Sequence, residues 1–399
     1  MYTFTSRRLG ATRWKGSKPC QWAQLVVNRQ NDFALVRRKL KISGDLPLHV
    51  RIRLPVQDTS YMLALLRQHV SRFQSLDIHV PVHEDAEEIV SSIGEGQPAL
   101  LLKRLSISVE QRLHRPIRSF AALKNAFYPS PRLTHLSLPA DPLPDITIPH
   151  LPTVTSLTID SVQAQWGIDL FNLFDMLESM PHLQHFTFKG SDNFSFCTTS
   201  KINYPRVISM PNLVSADVSA PGCGLDILRV LDAPLLTAVR FDGYRPLEYQ
   251  EDFVDALTIP IPASLRRVSE RSPKITCLEL RSTVMHHPLD DYRWLLSDEA
   301  FPQLEVLRLN AADISDDTLL MGMGRMRNLK RLELLNCENV SGAAVKRFVE
   351  GRDKNFVVLI DRCLSITQED MMLLSKTVIV ESKPRFRKHQ ILHGEFNLI

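Results

Sequence analysis

Side chains able to carry covalent chemistry are scattered through this 399-residue chain, and their spacing argues against each candidate centre. His79 and His83 stand four apart beside Glu84 and Asp85, the residue types of a metal site. They flank Pro81 at the end of an extended stretch, however, and so do not share a helix face. His286-His287 falls in polar loop sequence. Gly322 and Gly324 lack the third glycine of a phosphate loop and follow a helical rather than an extended stretch. No Gly-x-Ser-x-Gly nucleophile turn is present. The expectation is a protein that is not an enzyme, with no catalytic residue, no metal and no cofactor. The chemistry that remains is non-covalent. Asp217, Arg240, Glu279, Arg308 and Glu333 form a row in which guanidinium and carboxylate alternate, suited to ion pairing with one another or with a protein partner.

What positions that row is a repeat. Seven prolines (Pro131, Pro152, Pro181, Pro211, Pro234, Pro273 and Pro302) each stand five residues before an apolar residue that is followed, two positions on, by another. The pairs are Leu136/Leu138, Leu157/Ile159, Phe186/Phe188, Ala216/Val218, Val239/Phe241, Leu278/Leu280 and Leu307/Leu309. A third apolar residue lies three before each pair: Leu133, Val154, Leu183, Leu213, Leu236, Ile275 and Leu304. Phe73/Leu76/Ile78, Leu102/Leu105/Ile107 and Leu329/Leu332/Leu334 fit the same frame, as does a weaker copy at Val358/Ile360 with Asn355 in the first place. This is the Leu-x-x-Leu-x-Leu pattern of a leucine-rich repeat, in about eleven copies.

In a strand, residues two apart share a face, so each pair points into one core while the residue between them points out. The proline disfavours helix before it and launches the next strand. The predicted fold is α/β: a leucine-rich-repeat solenoid, or horseshoe, with a parallel sheet on the concave face and helices or loops on the convex face. Apolar spacing predicts convex helices over 61–70, 171–180 and 315–326, the last capped at Ser315-Asp316-Asp317. The wide step between Val239 and Leu278 carries an insertion that contains Tyr249 to Leu257, then Ile259-Pro260-Ile261-Pro262 and a basic Arg266-Arg267.

On the concave face the outward residues are Ser106, Ser137, Thr158, Thr187, Asp217, Arg240, Glu279, Arg308 and Glu333, hydroxyls first and then alternating charge. Exposed cross-strand pairs of this kind are worth roughly 0.2–1 kcal/mol and hold neighbouring repeats in register. The functional expectation is that a protein partner displaces these pairings. It would bind a strip of Asp217, Arg240, Asp242, Glu279, Arg281, Arg308, Asn310 and Glu333, with Lys189 at its flank.

A hydrophobic share of 44% and a charged share of 23% are those of an ordinary globular protein. No apolar run approaches the roughly 18 residues of a membrane span, and Met1–Trp14 has no apolar stretch of signal-peptide length. The expectation is an intracellular, cytoplasmic or nuclear protein with no membrane partner. The net charge of +4 is too small to imply nucleic-acid binding, although basic residues crowd both ends. Six cysteines show no Cys-x-x-Cys spacing. Cys337 and Cys363 each lie three past a core leucine or isoleucine, an arrangement that resembles the cysteine-containing leucine-rich repeats, where the thiol is a small buried apolar group.

Ahead of the repeats, Cys20-Gln21-Trp22 is followed by Leu25-Val26-Val27, a helical stretch over Leu35 to Leu40, and the phrase Ser43-Gly44-Asp45-Leu46-Pro47-Leu48-His49-Val50-Arg51-Ile52. This resembles the segment that joins an F-box to its repeats in the large fungal family of F-box and leucine-rich-repeat proteins. The resemblance implies substrate recognition for ubiquitin ligation. About twenty residues precede Trp22, and Arg7 to Trp14 keeps at most a trace of the last F-box helix, so the module is missing or truncated and docking to the Skp-type adaptor is not expected. The alternative is a stand-alone scaffold or inhibitor with no ligase link. The organisation expected is a basic segment over 1–45 holding the F-box remnant and linker, repeats over 46–380, and a basic tail over 381–399.

Overall fold

The fold is seen in a computed structural model that describes residues 23–28, 33–54, 59–110, 121–139, 151–161, 170–190, 206–219, 224–243, 261–285 and 287–382. Residues 1–22, with the Cys20-Gln21-Trp22 triplet, the tail from 383 on, the 249–257 stretch and His286 lie outside the described residues. The chain divides into two compact units, Met1–Gln111 with Ala122–Leu133, and Arg112–Ala121 with Thr134–Ile399.

The first unit contains β1 (Gln24–Val27), α1 (Phe33–Ser43), β2 (Leu48–Arg53), α2 (Thr59–Arg67), β3 (Phe73–Val80), α3 (His83–Gly94) and β4 (Arg104–Val109). Its strands pair in chain order, all parallel. The second unit begins with β5 (His135–Pro139), β6 (Ser156–Ser161), α4 (Leu170–Glu178), β7 (His185–Gly190), β8 (Ile208–Ser209), β9 (Ser215–Ser219), α5 (Gly224–Val230), β10 (Leu231–Asp232), β11 (Ala238–Asp242) and α6 (Ile261–Arg271). It continues through β12 (Cys277–Arg281), α7 (Pro288–Leu295), β13 (Val306–Asn310), α8 (Asp316–Leu320), β14 (Arg331–Leu335), α9 (Gly342–Val349), β15 (Val357–Asp361), α10 (Gln368–Leu374) and β16 (Ile379–Ser382). Ten of these strands form one parallel ladder in chain order, and β8 and β10 pair separately behind it. Each unit is thus an α/β solenoid of strand-and-return coils, as the repeat predicts. The parallel ladders hold fourteen strands, and β1, β2 and β16 are the ones the repeat pattern does not count.

The expected core residues are buried throughout. Leu136, Leu157, Phe186, Ala216, Val239, Leu278, Leu307, Leu332 and Val358 are at most a few per cent exposed, and so are their partners two positions on. In the last coil Phe356 is buried one residue after Asn355, the polar residue that breaks the pattern there.

The prolines do more than launch strands. In all seven coils the carbonyl before the proline accepts a hydrogen bond from the N–H of the apolar residue two beyond it, as in Phe301 O to Leu304 N at 3.0 Å and Ala233 O to Leu236 N at 3.0 Å. Proline occupies the second place of a tight turn, where its fixed φ is already correct and its missing N–H is not needed.

After the strands the chain turns again. Ser282, Ala311, Asn336 and Arg362, each one residue past the end of β12 to β15, take a left-handed φ of 45° to 57°. That turn drops the next residue into the core: Thr283, Ala312, Cys337 and Cys363 are all buried. The two cysteines therefore fill the small-residue position expected of them, and the hydrogen bond with Cys363, together with burial, pushes the Cys337 thiol well up. The returning helices start at matched caps. Ser315, Ser341 and Thr367 each accept a hydrogen bond from the N–H three residues on. Helix α8 is shorter than the expected 315–326, and the turn that follows it holds Gly322, packed so near Leu296 that a Cβ would lie 2.7 Å from its Cβ, and the left-handed Gly324.

Leu307 is fully buried and faces Leu278 and Leu332 in register. Leu307→Asp is expected to cost about 3 kcal/mol or more by placing an unpaired carboxylate between two coils. Thermal melting tests this, and a midpoint within about 1 °C of wild type would remove Leu307 from the core.

Candidate functional site

Register brings the charged row together. Residue for residue, Asp217 pairs with Arg240, Arg240 with Glu279, Glu279 with Arg308, and Arg308 with Glu333, across β9, β11, β12, β13 and β14. Arg240 donates from Nη1 to Asp217 Oδ2 at 2.8 Å and from Nε to Glu279 Oε2 at 2.9 Å. Arg308 Nη1 donates to the same Glu279 oxygen at 2.8 Å, and Arg308 Nε donates to Glu333 Oε2. Arg281, two residues along β12, turns back and donates from Nε to Glu279 Oε1. Glu279 thus accepts from three guanidinium groups.

Two members of the network were absent from the expected strip. Arg331 donates from Nε to Glu333 Oε1 and from Nη2 to Glu381 Oε2, both at 2.6 Å. Because β15 lies between β14 and β16, the Arg331–Glu381 pair reaches over Leu359, the residue in register with both Glu333 and Glu381. Leu359 is only 8% exposed. Arg331 shares a strand face with Glu333, which is a legible signal. Glu381 carried none, because β16 has no apolar pair of the repeat type.

Of the other expected residues, Asp242 is in register with Arg281 at the end of β11. Asn310 is next in that row and accepts from Asn336 Nδ2 at 2.8 Å, which ties it to the left-handed turn rather than to the ion pairs. Lys189 lies at the end of β7 opposite Ser219. The hydroxyl half of the row divides between the units, Ser106 on β4 and Ser137, Thr158 and Thr187 on β5 to β7.

One expectation about this strip is corrected. The pairs are not uniformly exposed: the Glu279 and Glu333 side chains are 4% and 5% exposed, whereas Arg240, Arg281, Arg308 and Arg331 range from 28% to 37%. The guanidinium groups converge over the carboxylates and cover them. Burial by itself would raise the Glu279 carboxyl, but hydrogen bonds from Arg281 and Arg240 outweigh it and hold the group below the usual carboxylate range. Glu333 behaves alike: burial pushes up, Arg308 and Arg331 pull down further, and the net direction is down.

The histidine pair is not a centre. His79 bonds Glu110 Oε1 through Nε2 at 2.7 Å at the end of β3, while His83 is buried at the start of α3, where desolvation lowers its pKa. Among the described residues no group of three or more His, Cys, Asp or Glu side chains is placed to hold a metal ion, and no helix is long and apolar enough to cross a membrane.

No protein-family model matches the chain, and no curated protein sequence matches it. Among solved structures it is similar to the crystal structure of a Bacteroides fragilis protein, at 12% identity and a TM-score of 0.37, over 86% of this chain and 76% of that one. A likeness so distant carries no function across.

Because Glu279 and Glu333 have depressed folded-state values, their pairing contributes fully above the unfolded carboxyl value near 4.5 and is lost as pH falls through the lower folded values. Glu279→Gln is expected to cost about 1–3 kcal/mol at pH 7. The gap to wild type should shrink below about pH 4.5. Denaturant midpoints at pH 7 and pH 3.5 measure both, and an equal gap at the two values would mean that Glu279 is not ionised in the fold.

Proposed function

We propose that this protein is a non-enzymatic interaction solenoid whose open sheet face, from β9 to β14, binds another protein. The observation that carries this reading is the part-exposed guanidinium row over the buried carboxylates of Glu279 and Glu333, which presents a line of held hydrogen-bond donors on consecutive strands. Arginine fixed in this way has lost its rotamer freedom before binding, so the partner is spared that cost. The particular role we propose is substrate recognition for ubiquitin ligation in the manner of F-box and leucine-rich-repeat proteins. The phrase from Ser43 to Ile52, which runs into β2, supports that role.

A second reading, a scaffold or inhibitor with no ligase link, is favoured by one feature: the row neutralises itself, with each buried carboxylate paired inside the chain. Co-purification separates the two. Recovery of a Skp-type adaptor with the chain supports the ligase role, and recovery of a partner without the adaptor supports the scaffold. Reversing Arg240 and Arg308 to Glu sets like charges against Asp217, Glu279 and Glu333. It is expected to lower partner recovery about tenfold or more and stability modestly. Unchanged recovery by a folded double variant would move the binding surface off the open face.

A further inference from the structure

The row has a chemistry of its own that narrows the partner. Each guanidinium has five N–H donors. Among the described residues Arg240 spends Nε and Nη1 on its carboxylates, Arg308 spends the same two atoms, and Arg281 spends only Nε. The remaining Nη donors of Arg240 and Arg308 bond nothing among the described residues, and these arginines are about a third exposed while Glu279 and Glu333 are 4% and 5% exposed. Over Glu279 and Glu333 the surface is therefore cationic where a partner touches it, with Asp217 at its edge. Beside it, Ala238, Cys277 and Val306 form a partly exposed row of small apolar side chains on the same strands and in mutual register, which lowers the local polarity and strengthens any charge contact made there.

Spacing selects the shape. Arg240 and Arg308 lie on β11 and β13 with β12 between them, so their Cα atoms are two strand spacings apart, about 9.6 Å. In a polyproline-type extended segment every third residue faces the same way, with a repeat of about 9.3 Å. We propose that the open face takes an extended acidic peptide segment with a carboxylate at every third residue, laid across the strands so that successive carboxylates meet the Nη donors of Arg240 and Arg308. The proposal rests on reading this face as the protein-binding surface.

The test uses the full chain and a fluorescein-labelled Glu-Ala-Pro peptide of four repeats, with the Gln-Ala-Pro peptide as its neutral match. At about 50 mM salt the acidic peptide is expected to bind at least about tenfold tighter than the neutral one and to weaken as salt rises. The Arg240→Gln/Arg308→Gln variant should lose that preference. Cys277 gives a readout that needs no variant: its half-buried thiol lies between the two arginine strands. Bound acidic peptide should slow its alkylation by iodoacetamide about threefold or more, as followed by peptide mass mapping, and the neutral peptide should not. Equal binding of the two peptides, or acidic binding that leaves Cys277 unshielded, overturns the proposal. So does tighter binding of a single-stranded oligonucleotide through the same arginines, which would make the ligand a nucleic acid. If partner capture still depends on Arg240 and Arg308 while the acidic peptide fails, the acidic class alone falls. If neither depends on them, the binding face itself is wrong.

Discussion

Stacking in register is the constraint from which the rest follows. Parallel strands in this arrangement set each residue about 4.8 Å from its counterpart in the next coil. Whatever one position holds, its neighbours above and below must tolerate. Apolar residues tolerate one another without limit, which is why the Leu, Ile, Val and Phe column runs unbroken through each unit. Small groups tolerate one another in the post-strand position, hence the column of Thr283, Ala312, Cys337 and Cys363. Charges do not, and a row of like charges at that distance would push the coils apart. Alternation from Asp217 to Glu333 is the solution for a polar row, since Arg240, Glu279 and Arg308 then have opposite neighbours on both sides, and the row ends where Leu359 follows Glu333.

The same constraint explains what could be read in the sequence. A buried column tolerates few residue types, so the apolar pairs, the proline turns and the outward charged row are visible as text. Ser315 was legible as a cap, and Ser341 and Thr367 follow it at the same step. The ends were not. Strand β2 has the alternation of a strand (Leu48, Val50, Ile52) but no proline turn before it, and β16 has one covered neighbour and mostly exposed side chains. Among the described residues β16 pairs on one side only, so its pattern fades, whereas β2 is paired on both sides and lacks only the proline turn. The left-handed turns at Ser282, Ala311, Asn336 and Arg362 were also hidden, because four different residue types hold one conformation and only asparagine among them is an ordinary signal for it.

The candidate site was half legible for a related reason. Pattern tells which residues share a face, but not how long side chains divide the surface between them. Arg331 reaches past its neighbour strand to Glu381 because position 359 is leucine and offers no charge. Burial of Glu279 is the larger surprise, and it comes from three arginines closing over one carboxylate. A row read from alternation alone gives acid and base equal standing, whereas the folded row has an inside and an outside.

That asymmetry changes how a partner must engage the face. A partner carboxylate that displaced Glu279 from its arginines would strand a covered charge and forfeit three hydrogen bonds, a loss of several kcal/mol. Exchange is therefore unfavourable, and the expectation that a partner breaks the ladder gives way to one in which it adds to it. Addition costs little, because the Nη donors in question bond nothing among the described residues and the side chains carrying them are already held in place. In the binding mode we propose, the covered acids serve recognition indirectly. They fix the position and orientation of the guanidinium groups and offset enough of their charge for four arginines to crowd on neighbouring strands, while leaving the outer donors to whatever lies across the sheet.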